Sequence, residues 1–146
     1  MEHVNEYSKI VVGYDGSELS EKALNTALSL ARKNAEVELM IVTIFNPPVS
    51  MGSYGMYSEE TIKDMLSEVE KMLEAVEDRF KVLPNKASTH LLQGLPGKRI
   101  VEFANERDAD VIILGSRGLS QLKELFLGSV SHYVVQHAKC PVFIIK

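Results

Sequence analysis

The chain has 146 residues, of which 45% are hydrophobic and 25% are charged, and its 16 basic and 20 acidic side chains give a net charge of −4. This composition is that of an ordinary globular domain over residues 1–146, and it excludes disordered and collagen-like classes. No apolar run approaches the roughly 20 residues that a membrane-spanning helix needs, and the acidic balance argues against general nucleic-acid binding. We therefore expect neither a membrane nor a nucleic acid as a partner.

Cysteine content and the amino-terminal sequence bear on location. Cys140 is the only cysteine, which excludes an internal disulfide and any multi-cysteine metal site. The start, Met1 to Lys9, is polar and lacks the apolar stretch of a secretion signal. The sequence therefore predicts a cytoplasmic protein.

The first half of the chain predicts two strands and two helices. The apolar run Ile10 to Val12 ends at a glycine and is typical of a buried strand. Either Asp15 or Ser17 could cap the helix that follows, in which apolar residues recur every three or four positions. Val37 to Phe45 predicts a second strand, and the same helical spacing returns from Glu59 to Phe80.

The second half predicts three more strands. Ala87 to Leu92 reads as the third, and Pro96 suits the first turn of the next helix. Val111 to Leu114 is apolar throughout, as in the middle of a parallel sheet. Gly128 introduces the last helix, and Val142 to Ile145 is the final strand. Alternating strands and helices predict an α/β fold with helices on both faces of a parallel sheet.

Two segments fit no clear period. Val49 to Ser58 is rich in methionine, tyrosine and glycine, and it predicts a loop that is either a flexible lid or partner surface, or a loop packing its own apolar residues. Leu119 to Leu127 predicts at most a short helix.

Glycine spacing gives the first functional signal. Eight of the nine glycines form pairs three residues apart: Gly13/Gly16, Gly52/Gly55, Gly94/Gly97 and Gly115/Gly118. Five parallel strands commonly take the order 3-2-1-4-5 or 2-1-3-4-5, and ligands bind where that order reverses. In the first order, the pairs after strands one and four meet at one crevice. The alternative is that glycines simply terminate strands and turns, as we expect for Gly94/Gly97.

The start of the last helix favours an anion. Gly128 and Ser129 open it, so unpaired amide groups and the positive end of the helix dipole would face outward there. The hydroxyls of Ser129 and Ser131 would add donors.

The spacing Gly115, two residues, Gly118, nine residues, Gly128 and Ser129 matches the motif G-x2-G-x9-G-[ST] and resembles the ATP-binding subgroup of the universal stress protein family. The runs KIVVGYDGSELSEKAL and LGSRGLSQLKELFLGSVSHYVVQHAKCPVFII resemble that family's two end blocks. The resemblance implies a Rossmann-like open sandwich of the adenine nucleotide alpha hydrolase-like type, with a five-stranded parallel sheet in the order 3-2-1-4-5. It also implies a homodimer through the last strand, and ATP with Mg or Mn held through the phosphates.

The resemblance implies these pocket residues: Gly13, Tyr14, Asp15, Ile44, Leu114, Gly115, Arg117, Gly118, Gly128, Ser129, Val130 and Ser131. The first two would line the pocket through their backbone, and Asp15 would lie by the ribose and adenine. Ile44 would pack on the adenine, Leu114 and Gly115 would border the nucleoside, and the last five would hold the phosphates. Arg117 is either a phosphate partner by charge or a solvated loop arginine. Thr43 stands where the family often has a histidine.

No catalytic constellation accompanies this pocket. His132 and His137 are five residues apart on the last helix and do not share a face. The resemblance therefore implies a nucleotide-dependent stress-response or signalling module without robust catalysis. Two alternatives stay open: a slow ATPase or phosphotransferase, and an interaction module with a vestigial pocket. The sequence does not distinguish ATP, AMP and a cyclic nucleotide, nor does it name a protein partner.

Overall fold

A computed structural model describes residues 7–47, 58–119 and 127–146. Five strands and four helices alternate within them: β1 Lys9–Gly13, α1 Glu18–Lys33, β2 Glu38–Phe45, α2 Glu59–Phe80, β3 Ala87–Gln93, α3 Pro96–Glu106, β4 Val111–Gly115, α4 Ser129–His137 and β5 Val142–Ile145. The predicted strands and helices are therefore confirmed, with ends that differ by a residue or two. Apart from Ser58, the loop predicted from Val49 lies outside the described residues, as does the segment 120–126.

The five strands form one parallel sheet in the order β3-β2-β1-β4-β5. Val11 in the central strand pairs with Met40 of β2 and Ile112 of β4. This confirms the order 3-2-1-4-5 and excludes the alternative order. Since β1 and β4 are neighbours while their connections run to opposite sides, their carboxyl ends flank the point where the strand order reverses.

Helices cover both faces of the sheet, which explains why the central strands are apolar throughout. On one face, Ile10 and Val12 pack in a cluster with Leu24 of α1 and Val76 of α2. On the other face, Val11 packs in a cluster that includes residues of α3 and α4. No helix in the described ranges is both long and apolar enough to span a membrane.

Polar side chains fix where α1 begins and ends. Ser17 is its N-cap, and its hydroxyl accepts a hydrogen bond from the Ser20 amide at 3.2 Å. At the other end, the buried Asn85 amide donates to the carbonyls of Ala31 and Val37 at 3.1 and 2.8 Å. Of the two predicted caps, the helix therefore uses Ser17.

The glycine pair at 94 and 97 serves two purposes rather than one. Gly94 has a φ of +128°, which favours glycine, and it ends β3 as the predicted turn. Gly97 lies in the first turn of α3, where an added Cβ would lie 2.9 Å from the Tyr133 Cβ. The expectation of plain turn geometry is therefore wrong for Gly97, because this glycine allows α3 to approach α4 closely.

Candidate functional site

A cleft of about 700 Å³ lies at the carboxyl ends of β1 and β4. Every residue of the predicted pocket lines it: Gly13, Tyr14, Asp15, Ile44, Leu114, Gly115, Arg117, Gly118, Gly128, Ser129, Val130 and Ser131. The structure thus brings together residues from β1, β2, β4 and α4 that are far apart in the sequence. Their contacts with a ligand stay a prediction.

Further lining residues were not predicted: Ser20, Val42, Asn46, Pro96, Ile100 and Leu119. Two of them carry a signal that the sequence offers. Val42 lies two residues before Ile44, so the two side chains share a face of β2. Asn46 follows directly after the end of β2, at the edge of the sheet where ligands bind in this class of fold.

One wall of the cleft is apolar. Its residues are Val42, Ile44, Ile100, Leu114 and Val130. All of them belong to, or pack against, the core cluster between the sheet and the helices α3 and α4. The wall is therefore held in place by the core, and it offers an apolar surface for a flat ring.

Asp15 provides an oriented carboxylate at the mouth of the cleft. Its Oδ1 accepts a hydrogen bond from the Ser17 amide at 2.9 Å, which fixes the side chain beside the start of α1. A Cβ added to Gly118 would lie only 2.7 Å from the Asp15 Oδ2. The missing side chain at Gly118 thus lets the carboxylate lie against the second glycine loop, where it can accept hydrogen bonds from a ligand.

The backbone of Tyr14 lines the cleft, whereas its side chain packs on the face of the sheet that α1 and α2 cover. Its amide donates to the Val42 carbonyl at 2.9 Å, and its carbonyl accepts from the buried Thr43 hydroxyl at 2.6 Å. Its hydroxyl donates to Glu21, and burial together with that carboxylate raises the pKa of Tyr14 to about 12. Thr43, at the position where the family often has a histidine, therefore fixes the end of β1.

The glycines that line the cleft have different surroundings. A Cβ on Gly13 would overlap the Leu114 side chain, and one on Gly115 would lie 2.8 Å from the Leu19 Cβ. Gly115 is therefore needed for packing against the backbone of α1, whereas at Gly13 the end of the Leu114 side chain would have to shift. At Gly128, the nearest atoms to an added Cβ are 3.4 Å away, which is ordinary contact.

The first turn of α4 points at the cleft without a side-chain cap. Gly128 is the N-cap residue and has no side chain, whereas the hydroxyls of Ser17 and Ser58 cap α1 and α2. The first amides of a helix have no acceptor inside the helix. The start of α4 therefore offers amide donors, and the positive end of the helix dipole, to a ligand.

Ser131 does not supply the hydroxyl donor that we expected. Its buried Oγ donates to the Ser116 carbonyl at 2.8 Å and also lies 3.1 Å from the Gly128 carbonyl. These bonds attach the glycine loop to α4, so the hydroxyl is engaged within the fold. Ser129 is exposed and lines the cleft, and its hydroxyl makes no hydrogen bond within the described residues.

Other reactive groups lie outside the cleft. Cys140 is half-buried, and burial raises the pKa of its thiol, which disfavours the nucleophilic thiolate. Within residues 7–47, 58–119 and 127–146, no group of three His, Cys, Asp or Glu side chains is placed to hold a metal ion. The chemistry of the cleft itself is that of binding: amide donors, a carboxylate acceptor and an apolar wall.

Comparison with known proteins identifies the family of this chain. The model of the universal stress protein family matches residues 6–146. Universal stress protein YxiE of Bacillus subtilis is 36% identical over 148 residues, covering 96% of this chain and 99% of YxiE.

Two similar solved structures contain nucleotides. A universal stress protein in complex with cAMP has a TM-score of 0.70 and 28% identity, covering 95% of this chain and 96% of its own. The universal stress protein from Archaeoglobus fulgidus in complex with dAMP has a TM-score of 0.61 and 26% identity, covering 96% of this chain and 98% of its own. Since the family match spans nearly the whole sequence and the fold agrees, this chain belongs to the universal stress protein family.

Proposed function

We propose that the cleft binds an adenine nucleotide, with ATP as the physiological ligand, and that the protein acts as a nucleotide-dependent stress-response or signalling module. The observation that carries this proposal is the uncapped start of α4, which faces an apolar wall and the Asp15 carboxylate across one cleft. A nucleotide requires three kinds of contact: hydrogen-bond donors for its phosphates, an acceptor for its ribose hydroxyls and an apolar surface for its base.

Each part of a nucleotide has a matching surface. The phosphates would lie against Gly118 and the first turn of α4, because backbone amides bind them without needing net positive charge. The ribose hydroxyls are donors, and they would pair with the Asp15 carboxylate. The adenine would pack on the apolar wall beside Ile44.

The nucleotide complexes of two relatives support the ligand class. One holds cAMP and the other dAMP, and both ligands are adenine nucleotides with one phosphate. Their common chemistry favours adenine at this cleft. The choice of ATP rests on the motif spacing from Gly115 to Ser129.

A divalent cation would be held by the ligand rather than by the protein alone. The described residues hold no cluster of three metal-ligating side chains. Mg²⁺ is commonly bound through substrate phosphates with few protein ligands. We therefore propose Mg or Mn bound through the nucleotide phosphates, with the exposed Ser129 hydroxyl as a candidate protein ligand.

A signalling role requires that nucleotide occupancy change another surface. A ligand shifts an equilibrium only by its differential affinity for the two states. We propose that the affected surfaces are a homodimer contact through β5 and the contact with a protein partner. A cytoplasmic location, expected from the sequence, belongs to the same proposal.

Calorimetric titration with ATP and Mg²⁺ tests the binding proposal. We expect saturable binding that Asp15→Ala weakens by about tenfold or more, because a charge-assisted hydrogen bond is lost. Asp64→Ala is the matched control, since Asp64 is an exposed residue of α2 and should leave the affinity unchanged. Absence of binding at millimolar ATP by folded protein would refute the proposal. Mass spectrometry of the ligand released from freshly purified protein would identify the nucleotide.

A further inference from the structure

A second cleft, of about 470 Å³, adjoins the first. It is lined by Ser17, Glu18, Leu19, Lys22, Arg117, Gly118 and Lys146. Arg117 and Gly118 belong to the linings of both clefts. The loop after β4 therefore forms the boundary between the two spaces, and a ligand extending past Gly118 would enter the second.

Positive charge is concentrated around the second cleft. Lys22, Arg117 and Lys146 line it from three separate parts of the fold, and Glu18 is the one acidic residue of the lining. The whole chain, by contrast, has a net charge of −4. Lys22 and Arg117 alone bring two cations to a lining with one acidic side chain, which suits an anionic group.

Two of these cations have no charged or hydrogen-bonded partner in the described parts of the chain. This holds for the Lys22 ammonium and the Arg117 guanidinium. Other arginines are engaged: Arg79 donates to Glu21 at 2.9 Å, and Arg99 donates to Glu102 at 2.8 Å. Lys22 and Arg117 are thus available to a ligand that spans the boundary.

We propose that the second cleft receives the distal phosphates of adenine di- and triphosphates, so that this chain distinguishes them from adenine monophosphates. The inference rests on the proposed nucleotide site and goes further by assigning Lys22 and Arg117 to specificity. A single phosphate on the α4 amides stays within the first cleft. A longer phosphate chain extends past the Gly118 backbone into the second cleft, towards the Lys22 ammonium and the Arg117 guanidinium.

The acidic neighbours give a reason for two cations at this boundary. The Asp15 carboxylate lies against Gly118, and Glu18 lines the second cleft. Both carboxylates repel a phosphate chain that enters this cleft. Lys22 and Arg117 offset this repulsion for distal phosphates, whereas a monophosphate beside the α4 amides gains little from them.

Calorimetry with AMP, ADP and ATP on the full chain tests this assignment. We expect the wild type to bind ADP and ATP about tenfold more tightly than AMP, and Lys22→Met to remove most of that preference by weakening ADP and ATP alone. Arg117→Met should act in the same direction. Lys33→Met is the matched control, because it removes the same charge from an exposed position in the last turn of α1 and should change none of the three affinities.

The outcomes separate this inference from the proposed function. If AMP binds, but Lys22→Met weakens all three nucleotides alike or none of them, the second cleft plays no part in specificity and the nucleotide site stands. If Lys33→Met reproduces the effect of Lys22→Met, the effect is one of net charge and the inference also fails. If folded protein binds none of the three, the proposed function fails, and this inference with it.

Discussion

Gly115 and Gly128 both belong to the motif around the cleft, but the fold constrains them differently. At Gly115, an added Cβ would lie 2.8 Å from the Leu19 Cβ and 2.9 Å from the Leu19 carbonyl carbon, so α1 could not keep its position against β4. At Gly128, the nearest atoms are 3.4 Å away and the φ of −70° suits any residue. The packing of the fold therefore accounts for the first glycine and not for the second.

We expect Gly115→Ala to lower the free energy of unfolding by about 1–3 kcal/mol, the usual cost of overpacking. Gly128→Ala should change it by less than about 1 kcal/mol, because a poorer N-cap residue and a less flexible unfolded chain have opposing effects. Urea denaturation of the two variants measures both values. An equal loss in the two variants would contradict the distinction and would give Gly128 a packing role as well.

The sequence could predict which residues gather at the cleft, but not how each one is used. Gly115, Gly118 and Gly128 follow from motif spacing. That the Ser131 hydroxyl donates to the Ser116 carbonyl, or that Gly97 lies against Tyr133, depends on contacts between separate elements. Residue spacing carries no information about such contacts, because the same pattern is compatible with several side-chain orientations.

At the scale of elements, a polar network joins α1 to α2 behind the cleft. Tyr14 donates its hydroxyl to Glu21, and Arg79 of α2 donates to Glu21 at 2.9 Å and to Asn25 at 2.7 Å. Burial acts to raise the pKa of Glu21, but the hydrogen bonds from Tyr14 and Arg79 outweigh it and lower that pKa. The network therefore needs an ionised Glu21 and a neutral Tyr14, which is the state at neutral pH.

Alkaline pH should weaken this network through Tyr14. The pKa of Tyr14 is about 12 in the folded protein, against about 10 for an unfolded tyrosine. The stabilisation from neutral Tyr14 is complete below pH ~10 and is lost as the pH rises towards ~12, because the unfolded chain releases this proton first. Urea denaturation at pH 8 and pH 11 should show a larger drop in unfolding free energy for the wild type than for Tyr14→Phe.

Tyr7→Phe provides the matched control for the alkaline measurement. It removes a hydroxyl that has no hydrogen-bond partner in the described residues, so its pH dependence should follow that of the wild type. A Tyr14→Phe variant that loses stability between the two pH values as steeply as the wild type would contradict the prediction.

Element positions were predictable to within a residue or two, because burial on both faces leaves continuous apolar runs such as Val111 to Leu114. Strand order was not fixed by that pattern, since both common orders bury the same residues. The order came from the resemblance at the two ends of the chain. The Asn85 amide, which closes the end of α1, was missed because a lone asparagine after a helix reads as an ordinary turn residue.

At the scale of the whole molecule, the sheet has two edges, β3 and β5. All four side chains of β5 are half-buried, and within residues 7–47, 58–119 and 127–146 its backbone pairs with β4 on one side only. The carbonyls of Pro141 and Ile145 accept hydrogen bonds from β4, so in the alternating pattern of a parallel pair the Ile144 amide points away from β4. An unpaired edge of this kind is a template for pairing with another strand.

The proposed homodimer through β5 therefore predicts a specific effect of proline. Ile144→Pro removes an outward amide while leaving the pairing with β4 intact, and we expect it to convert a dimeric wild type into a monomer. Leu91→Pro is the matched control on β3: the Lys86 carbonyl accepts from β2, so the alternating pattern points the Leu91 amide outward as well. Sedimentation velocity gives the oligomeric state, and circular dichroism shows that both variants are folded. A folded Ile144→Pro variant that stays dimeric, or a Leu91→Pro variant that dissociates, would assign the dimer contact to another surface.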